Sequence, residues 1–233
     1  DDAMMKLRIH RVWFPFKAHR TWFGNWCWDS FEFERSTGKR LLLLIDGVRA
    51  NDNIYDSVLV GREFPIDVAL IERVEFIPGP GSVIYGPNAV FGVINVVTRG
   101  AASLRGQSLA VSVDSQRARK VQFSSGHEFA SGSLLVAASA ENRPGTDLVI
   151  PQFDPAGGDG HVHGLDGERD RKLQLRWSGG ELNLGAIVSE RSKSIPNAPF
   201  DLVFGERSVW TDRMSLISGS WQRLAADGSG WSF

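Results

Sequence analysis

From residue 105 onward, apolar and polar residues alternate along the chain in repeated short stretches. The clearest stretch places Leu173, Leu175 and Trp177 between polar neighbours. A period of two sends successive side chains to opposite faces of a strand. Each predicted strand therefore has one apolar and one polar face. The pattern predicts strands at residues 107–114, 120–128, 133–141, 171–177, 181–190 and 213–222.

Short and long connections alternate between these strands. The short ones are 130–132 and 178–180, and the long ones are 142–170 and 191–208. Short turns at one end and long loops at the other are typical of outer-membrane β-barrels, whose apolar face contacts lipid and whose polar face lines the lumen. A soluble sandwich would instead bury the apolar face in its core. Trp177, Trp210 and Trp221 fit either an interfacial aromatic girdle or core packing.

Residues 41–100 follow a different pattern, in which short elements are separated by glycine and proline. Leu41–Ile45 is an apolar strand that ends at the turn pair Asp46-Gly47. Residues 66–70 predict a helical turn with Asp67 in its first turn, and residues 74–77 predict a strand.

Residues 78–81 read Pro-Gly-Pro-Gly and must form a turn, because proline cannot donate to a strand ladder and glycine permits positive φ. Ser82 is predicted to be the N-cap of a short helix that ends near Gly86. The β-branched stretch 90–97 predicts the next strand.

Composition narrows the function classes. The chain has 233 residues and a formal net charge of -1, which argues against nucleic-acid binding. Its one cysteine, Cys27, excludes an internal disulfide. The sequence contains no run of 18 apolar residues, so it predicts no transmembrane helix. Membrane insertion would therefore require a β-barrel.

Residues 1–40 form an atypical N-terminal segment that contains four of the eight tryptophans. Lys6, Arg8 and Arg11 interrupt the apolar run that a signal peptide needs. The basic and aromatic mixture fits either an interfacial membrane segment or sequence that is not native-like, for example read out of frame upstream of Leu41.

Three segments, in order, resemble the plug domain of TonB-dependent outer-membrane receptors: LLLLIDGVRAND at 41–52, FPIDVALIERVE at 64–75 and GPGSVIYGPNAVFGVINVVTR at 79–99. One position departs, because Pro78 stands where the family usually has an arginine. The positions that match the plug motifs are Asp46, Gly47, Glu72, Arg73, Glu75, Gly79, Pro80, Gly81, Tyr85, Gly86 and Asn95.

The resemblance implies an α+β plug domain at 41–100, followed at 101–233 by antiparallel β-strands of an incomplete outer-membrane β-barrel. It implies active uptake of a scarce nutrient, such as siderophore-bound iron, haem or cobalamin, across the outer membrane of a Gram-negative bacterium. The implied partners are the TonB–ExbB–ExbD energy-transducing complex, outer-membrane lipid and the small ligand. No cofactor and no bond chemistry are implied, so the expected protein is a transporter and not an enzyme.

Length adds a further expectation. A receptor barrel of about 22 strands needs on the order of 200–240 residues in strands alone. Six or seven strands cannot close around a plug, so the chain is expected to be a fragment that does not transport alone. The alternative interpretation is a soluble β-rich ligand-binding module that retains the plug.

Two groups of residues are candidate sites. The polar stretch after the first strand fits either a ligand-contacting plug apex or an ordinary turn rich in Asx residues; its members are Asn51, Asp52, Asn53, Tyr55 and Asp56. The glycine-rich stretch 153–170 fits either a solvated loop or a metal site, with Asp159, His161 and His163 as ligands beside Asp154 and Asp166. GPGSVIYG at 79–86 lacks the ending of a phosphate-binding loop, and no nucleophile motif is present.

Overall fold

The structure is a computed structural model that describes residues 40–154, 157–197, 203–224 and 230–232. All but the last residue of the atypical segment 1–40 lies outside this range. The chain divides into two compact units. Among the described residues, the first unit holds 40–64 and 68–99, and the second holds 65–67 and everything from Gly100 onward. No helix of this described part is long and apolar enough to cross a membrane.

The first unit is built on a four-stranded sheet with the spatial order β2-β1-β4-β3. Strand β1 runs parallel to β4, whereas the β1–β2 and β3–β4 pairs are antiparallel. The strands are β1 (Leu41–Ile45), β2 (Val48–Arg49), β3 (Ile71–Pro78) and β4 (Gly92–Thr98), with a 3-10 helix at Val68–Leu70 and a four-residue helix α1 at Ser82–Tyr85.

The apolar run of β1 forms a central strand that is buried on both faces. Leu42 and Leu44 form a buried cluster with Ala89 and Val93, while Leu43 and Ile45 are also buried. The chain then reverses at Asp46 and Gly47, whose φ angles are 50° and 81°. Positive φ at both central positions is the hairpin geometry that an Asp-Gly pair favours. The predicted strand and turn at 41–47 are therefore confirmed.

Two local predictions in this unit are wrong. Ser82 is not an N-cap but the first residue of α1, and its hydroxyl donates to the carbonyl of Ala89 at 3.1 Å. Asp67 lies before the 3-10 helix rather than in its first turn. Its buried carboxylate accepts from Nζ of Lys120 at 2.7 Å within the second unit, so an ion pair, and not a helix dipole, stabilises its charge.

The second unit is an antiparallel sheet of seven strands in the order β13-β12-β11-β10-β7-β6-β5. Its strands are β5 (Gly106–Val113), β6 (Arg119–Phe129), β7 (Gly132–Arg143), β10 (Glu168–Gly179), β11 (Leu182–Ile195), β12 (Ser208–Leu224) and β13 (Gly230–Ser232). The six predicted strands are all present, but most are longer than the alternation indicated.

The long connection between β7 and β10 has structure of its own. Strands β8 (Asp147–Val149) and β9 (His161–His163) form a separate antiparallel pair, with a 3-10 helix at Pro151–Phe153 between them. The turns β6–β7 and β10–β11 are tight, as predicted. Short and long connections therefore lie at opposite ends of the strands.

The two faces of this sheet differ in exposure. We call one side of the sheet the polar face; on β10 it carries Glu168, Asp170, Lys172 and Gln174. The other side is the apolar face, which on β10 carries Leu173, Leu175 and Trp177. Each face also includes the residues in register on neighbouring strands. Glu168, Asp170 and Gln174 are buried, whereas Leu173 and Leu175 are exposed. A soluble sandwich would have the opposite arrangement.

Candidate functional site

A hydrogen-bond network joins the separate segments that carry the plug-like motifs. The carboxylate of Asp46 accepts from the backbone N–H of Thr98 at 2.8 Å and from its hydroxyl at 2.6 Å. These bonds tie the β1–β2 turn to the end of β4, 52 residues along the chain. The short acidic side chain at this position therefore accepts hydrogen bonds from donors at a strand end that is remote in sequence.

The network continues across the sheet through Asn95. Its side-chain oxygen accepts from the N–H of Gly47 at 3.2 Å, and its amide donates to Glu75 at 2.9 Å. Glu75 in turn accepts from Nε of Arg73 at 2.7 Å, and Arg73 also contacts Glu72 at 3.1 Å. The hydrogen bond from Arg73 to Glu75 raises the pKa of the Arg73 guanidinium further above its usual range. Five motif residues thus form one continuous chain of contacts.

A groove with a volume of about 420 Å³ lies beside this network in the first unit. Leu42, Leu44 and Ile77 supply apolar lining, while Glu75 and Asn95 supply polar groups. The combination of apolar walls with a few oriented polar groups is common in binding sites. The groove also reaches Tyr85 of α1.

The Gly-Pro turn and α1 complete the first unit. The N–H of Gly79 donates to Phe91 at 3.0 Å, and the N–H of Gly81 donates to Ala89 at 2.7 Å. Pro78 ends β3, which is an edge strand, where a missing donor is tolerated. Gly92 lies opposite, and a Cβ there would meet the Ile77 carbonyl at 2.8 Å. Glycine at 92 therefore permits the close approach of β4 to β3.

The structure separates the five predicted apex residues into two groups. Asn53 and Tyr55 are exposed. Asp52 accepts from the N–H groups of Ile54 and Tyr55 at 3.2 and 2.6 Å, and Asp56 pairs with Arg49. Contact with a ligand therefore remains a prediction, best met by the side chains of Asn53 and Tyr55.

Asn51 has a different position from its neighbours. It is only 4% exposed, and its side-chain oxygen accepts from the N–H of Leu43 at 2.8 Å. Its amide donates to the carbonyls of Leu41 at 3.0 Å and Asp56 at 3.1 Å. Asn51 therefore holds the 51–56 loop against β1, a task that the sequence alone did not indicate.

We expect Asn51→Ala to lower the free energy of unfolding of the first unit by about 1–3 kcal/mol, because it leaves buried backbone groups without partners. The matched change Asn53→Ala removes an exposed amide and should stay within about 0.5 kcal/mol. Urea denaturation of the whole chain checks both. Equal effects of the two substitutions would contradict the structural role of Asn51.

The histidine-containing hairpin does not assemble the predicted metal site. His161 and His163 lie on one side of β9 with ring centroids 6.1 Å apart. Nδ1 of His163 is 3.2 Å from the carboxylate of Asp147, while Asp159 accepts from the backbone N–H of His161. In the residues that the structure describes, no three His, Cys, Asp or Glu side chains are arranged to hold a metal. The site at Asp159, His161 and His163 is thus corrected to a hairpin of locally paired side chains.

Sequence reasoning also missed a set of ion pairs on the polar face. Arg191 contacts Glu168 at 2.8 Å and Asp212 at 3.2 Å, which links β10, β11 and β12. Lys172 lies 3.2 Å from Asp170. Glu168, Asp170, Arg191 and Asp212 lie outside the predicted strands, but the register places Arg191 opposite both Asp170 and Asp212.

Comparison with known proteins finds relatives of the plug-like region. The TonB-dependent Receptor Plug Domain family matches residues 30–93, which begins before the predicted boundary at 41. The vitamin B12 transporter BtuB of Vibrio vulnificus is 38% identical over 115 residues, which are 48% of this chain and 18% of the transporter. The chain thus spans less than a fifth of that relative.

Two solved structures share the fold. The siderophore receptor PirA from Acinetobacter baumannii has a TM-score of 0.55 and 17% identity, over 82% of this chain and 31% of the receptor. The FrpB iron transporter from Neisseria meningitidis has a TM-score of 0.54 and 15% identity, over 82% of this chain and 32% of the transporter.

Fold and comparisons together define a plug domain joined to an antiparallel, barrel-like sheet that is open in the described residues. Residues 30–93 thus match the plug-domain family, and the antiparallel strands that follow resemble part of a TonB-dependent receptor barrel.

Proposed function

We propose that this chain is part of an outer-membrane receptor that takes up a scarce nutrient with energy supplied through the TonB–ExbB–ExbD complex. The observation that carries the proposal is the exposure of the apolar face of the second unit. Leu109, Leu184 and Ile217 are exposed on that face, and Gln174 is buried on the other. Lipid is the solvent in which this arrangement is favourable.

The end of the apolar face that bears the tight turns also fits a membrane interface. At the end with tight turns, the rings of Phe129 and Trp177 lie 6.2 Å apart. Trp221 pairs with Leu182 in the neighbouring row of the same face. Aromatic side chains at the ends of barrel strands are favourable because they lie at the boundary between lipid and water. Trp210 pairs with Lys193 instead, so its register assigns it to the polar face.

The ligand class is proposed from the relatives and from the plug surface. The named relatives are a vitamin B12 transporter, a siderophore receptor and an iron transporter. We propose siderophore-bound iron, haem, cobalamin or a similar nutrient, contacted by Asn53 and Tyr55. The function is transport, and it requires no bond to be made or broken.

The test uses the complete gene in its Gram-negative host. Fractionation of the host should place the product in the outer membrane. Deletion of the gene should abolish uptake of one labelled nutrient among ferric siderophores, haem and cobalamin. A protonophore should have the same effect in the undeleted strain, because the energy comes from the inner membrane.

One result would overturn the proposal. A product found in the soluble fraction, monodisperse without detergent and with no effect of deletion on uptake, would instead support a soluble β-rich ligand-binding module. Loss of uptake that a protonophore does not reproduce would separate binding from energised transport.

A further inference from the structure

Arginines lie on the apolar face of three strands, near the end that bears the long connections. Arg119 lies two residues from Val121 on β6, and Arg171 lies two residues from Leu173 on β10. On β12, Arg213 lies two residues from Ser215. Arg171 is in register with Glu190, which is in register with Arg213. The border therefore spans alternate strands of the sheet, with β7 and β11 between them, and is not a feature of one loop.

Several of these guanidinium groups have no acidic partner. Glu190 is paired with Arg213 at 2.7 Å. Within the described residues, no carboxylate lies at ion-pair distance from Arg119, Arg169 or Arg171. All three side chains are exposed. The border thus carries a surplus of positive charge beside an apolar surface.

A cavity of about 640 Å³ opens at the same end of the strands. Arg169, Arg171 and Arg207 line it, together with Ser192. Arg207 also lacks an acidic partner among the described residues. These three arginines give the cavity groups that suit a phosphate, since guanidinium binds phosphate oxygens in pairs.

The carboxylates in the cavity wall do not offset this charge. Glu168 is held by Arg191 at 2.8 Å and Glu190 by Arg213 at 2.7 Å, and neither of these arginines lines the cavity. Arg143, the remaining basic group of the wall, contacts Asp114 and Glu141 at 3.2 and 3.3 Å. The net field inside the cavity is therefore positive.

We propose that the cavity at this arginine border binds the phosphate of an anionic lipid headgroup, with Arg169, Arg171 and Arg207 as the ligands. The inference rests on the proposed function, because it takes the apolar face below the border as the surface that contacts acyl chains. Continuity of an apolar face with a cationic cavity matches a molecule that is apolar at one end and phosphorylated at the other. A free phosphate would use the cavity but not the face.

The experiment is flotation of the whole chain with vesicles at about 0.1 M salt. One set contains phosphatidylcholine alone, and the other contains phosphatidylcholine with phosphatidic acid. The test variant is R169Q/R171Q/R207Q. The control R62Q/R99Q/R105Q removes the same formal charge at three exposed arginines, none of which lines the cavity. Circular dichroism verifies the strand content of each.

We expect the unmodified chain to bind anionic vesicles more strongly than neutral ones. In the test variant the ratio of anionic to neutral binding should fall by at least about tenfold, because each arginine near an anionic surface raises binding about fivefold. The control should change by less than about threefold. Binding to neutral vesicles should be the same for all three proteins, because it depends on the apolar face.

The contrary outcomes are distinguishable. Equal losses in the test and control variants would show that only net charge matters, which overturns the headgroup site and leaves the proposed function standing. Displacement from anionic vesicles by millimolar inorganic phosphate, but not by sulfate at equal ionic strength, would assign the cavity to free phosphate. Absence of flotation with either vesicle would overturn the proposed function and the inference with it.

Discussion

Ile217→Arg is expected to destabilise the lipid-inserted sheet by about 2–4 kcal/mol, the cost of an arginine near the middle of a barrel's lipid face. Ile217 is 82% exposed and lies in register with Ala186, which pairs with Leu175 on the apolar face. In water, an exposed arginine would carry no such cost, because its charge would remain hydrated. The substitution therefore reports which solvent covers this face.

The chain supplies a closely matched control. Ile54 in the first unit is 81% exposed, so Ile54→Arg makes the same chemical change at equal exposure. It should alter stability by no more than about 0.5 kcal/mol. Urea titrations in lipid vesicles measure both variants. If Ile217→Arg is as mild as Ile54→Arg, and the chain stays monodisperse without detergent, the apolar face does not contact lipid.

The strands of the second unit were predictable from alternation, but their ends were not. Strand β11 continues from the predicted end at residue 190 to Ile195, and β12 begins at Ser208 rather than 213. Four of the five residues added to β11 are polar or charged, so the apolar alternation that marked this strand does not continue through them. Cross-strand partners stabilise them instead, as Arg191 does with Asp212. Such pairing depends on register, which a single sequence does not reveal.

The first unit shows the same limit at its motifs. Turn chemistry predicted the bend at Asp46-Gly47 and the turn at 78–81, because these depend on local backbone preferences. The tasks of the side chains depend on distant partners. Asp46 bonds Thr98, and Asn95 bridges Gly47 and Glu75, which requires the parallel pairing of β1 with β4. Only the resemblance to plug domains marked these positions in advance.

Leu42→Ala is expected to be the other severe substitution. Leu42 is 1% exposed in the cluster with Leu44, Ala89 and Val93. Removing its side chain costs the lost burial plus the cavity that remains, typically about 2–5 kcal/mol. A unit built on four short strands has few other apolar contacts to compensate for the loss.

Hydrogen exchange of the whole chain, read by mass spectrometry on peptides from β1 and β4, measures this effect directly. Exchange through opening of the first unit should become at least about thirtyfold faster, which corresponds to 2 kcal/mol. Val83→Ala is the control, because Val83 is 99% exposed on α1 and its loss leaves no cavity. If the β1 and β4 peptides exchange at the same rate in Leu42→Ala and Val83→Ala, the cluster around Leu42 does not hold β1 against β4. The Asp46 and Asn95 hydrogen bonds would then have to supply that stability.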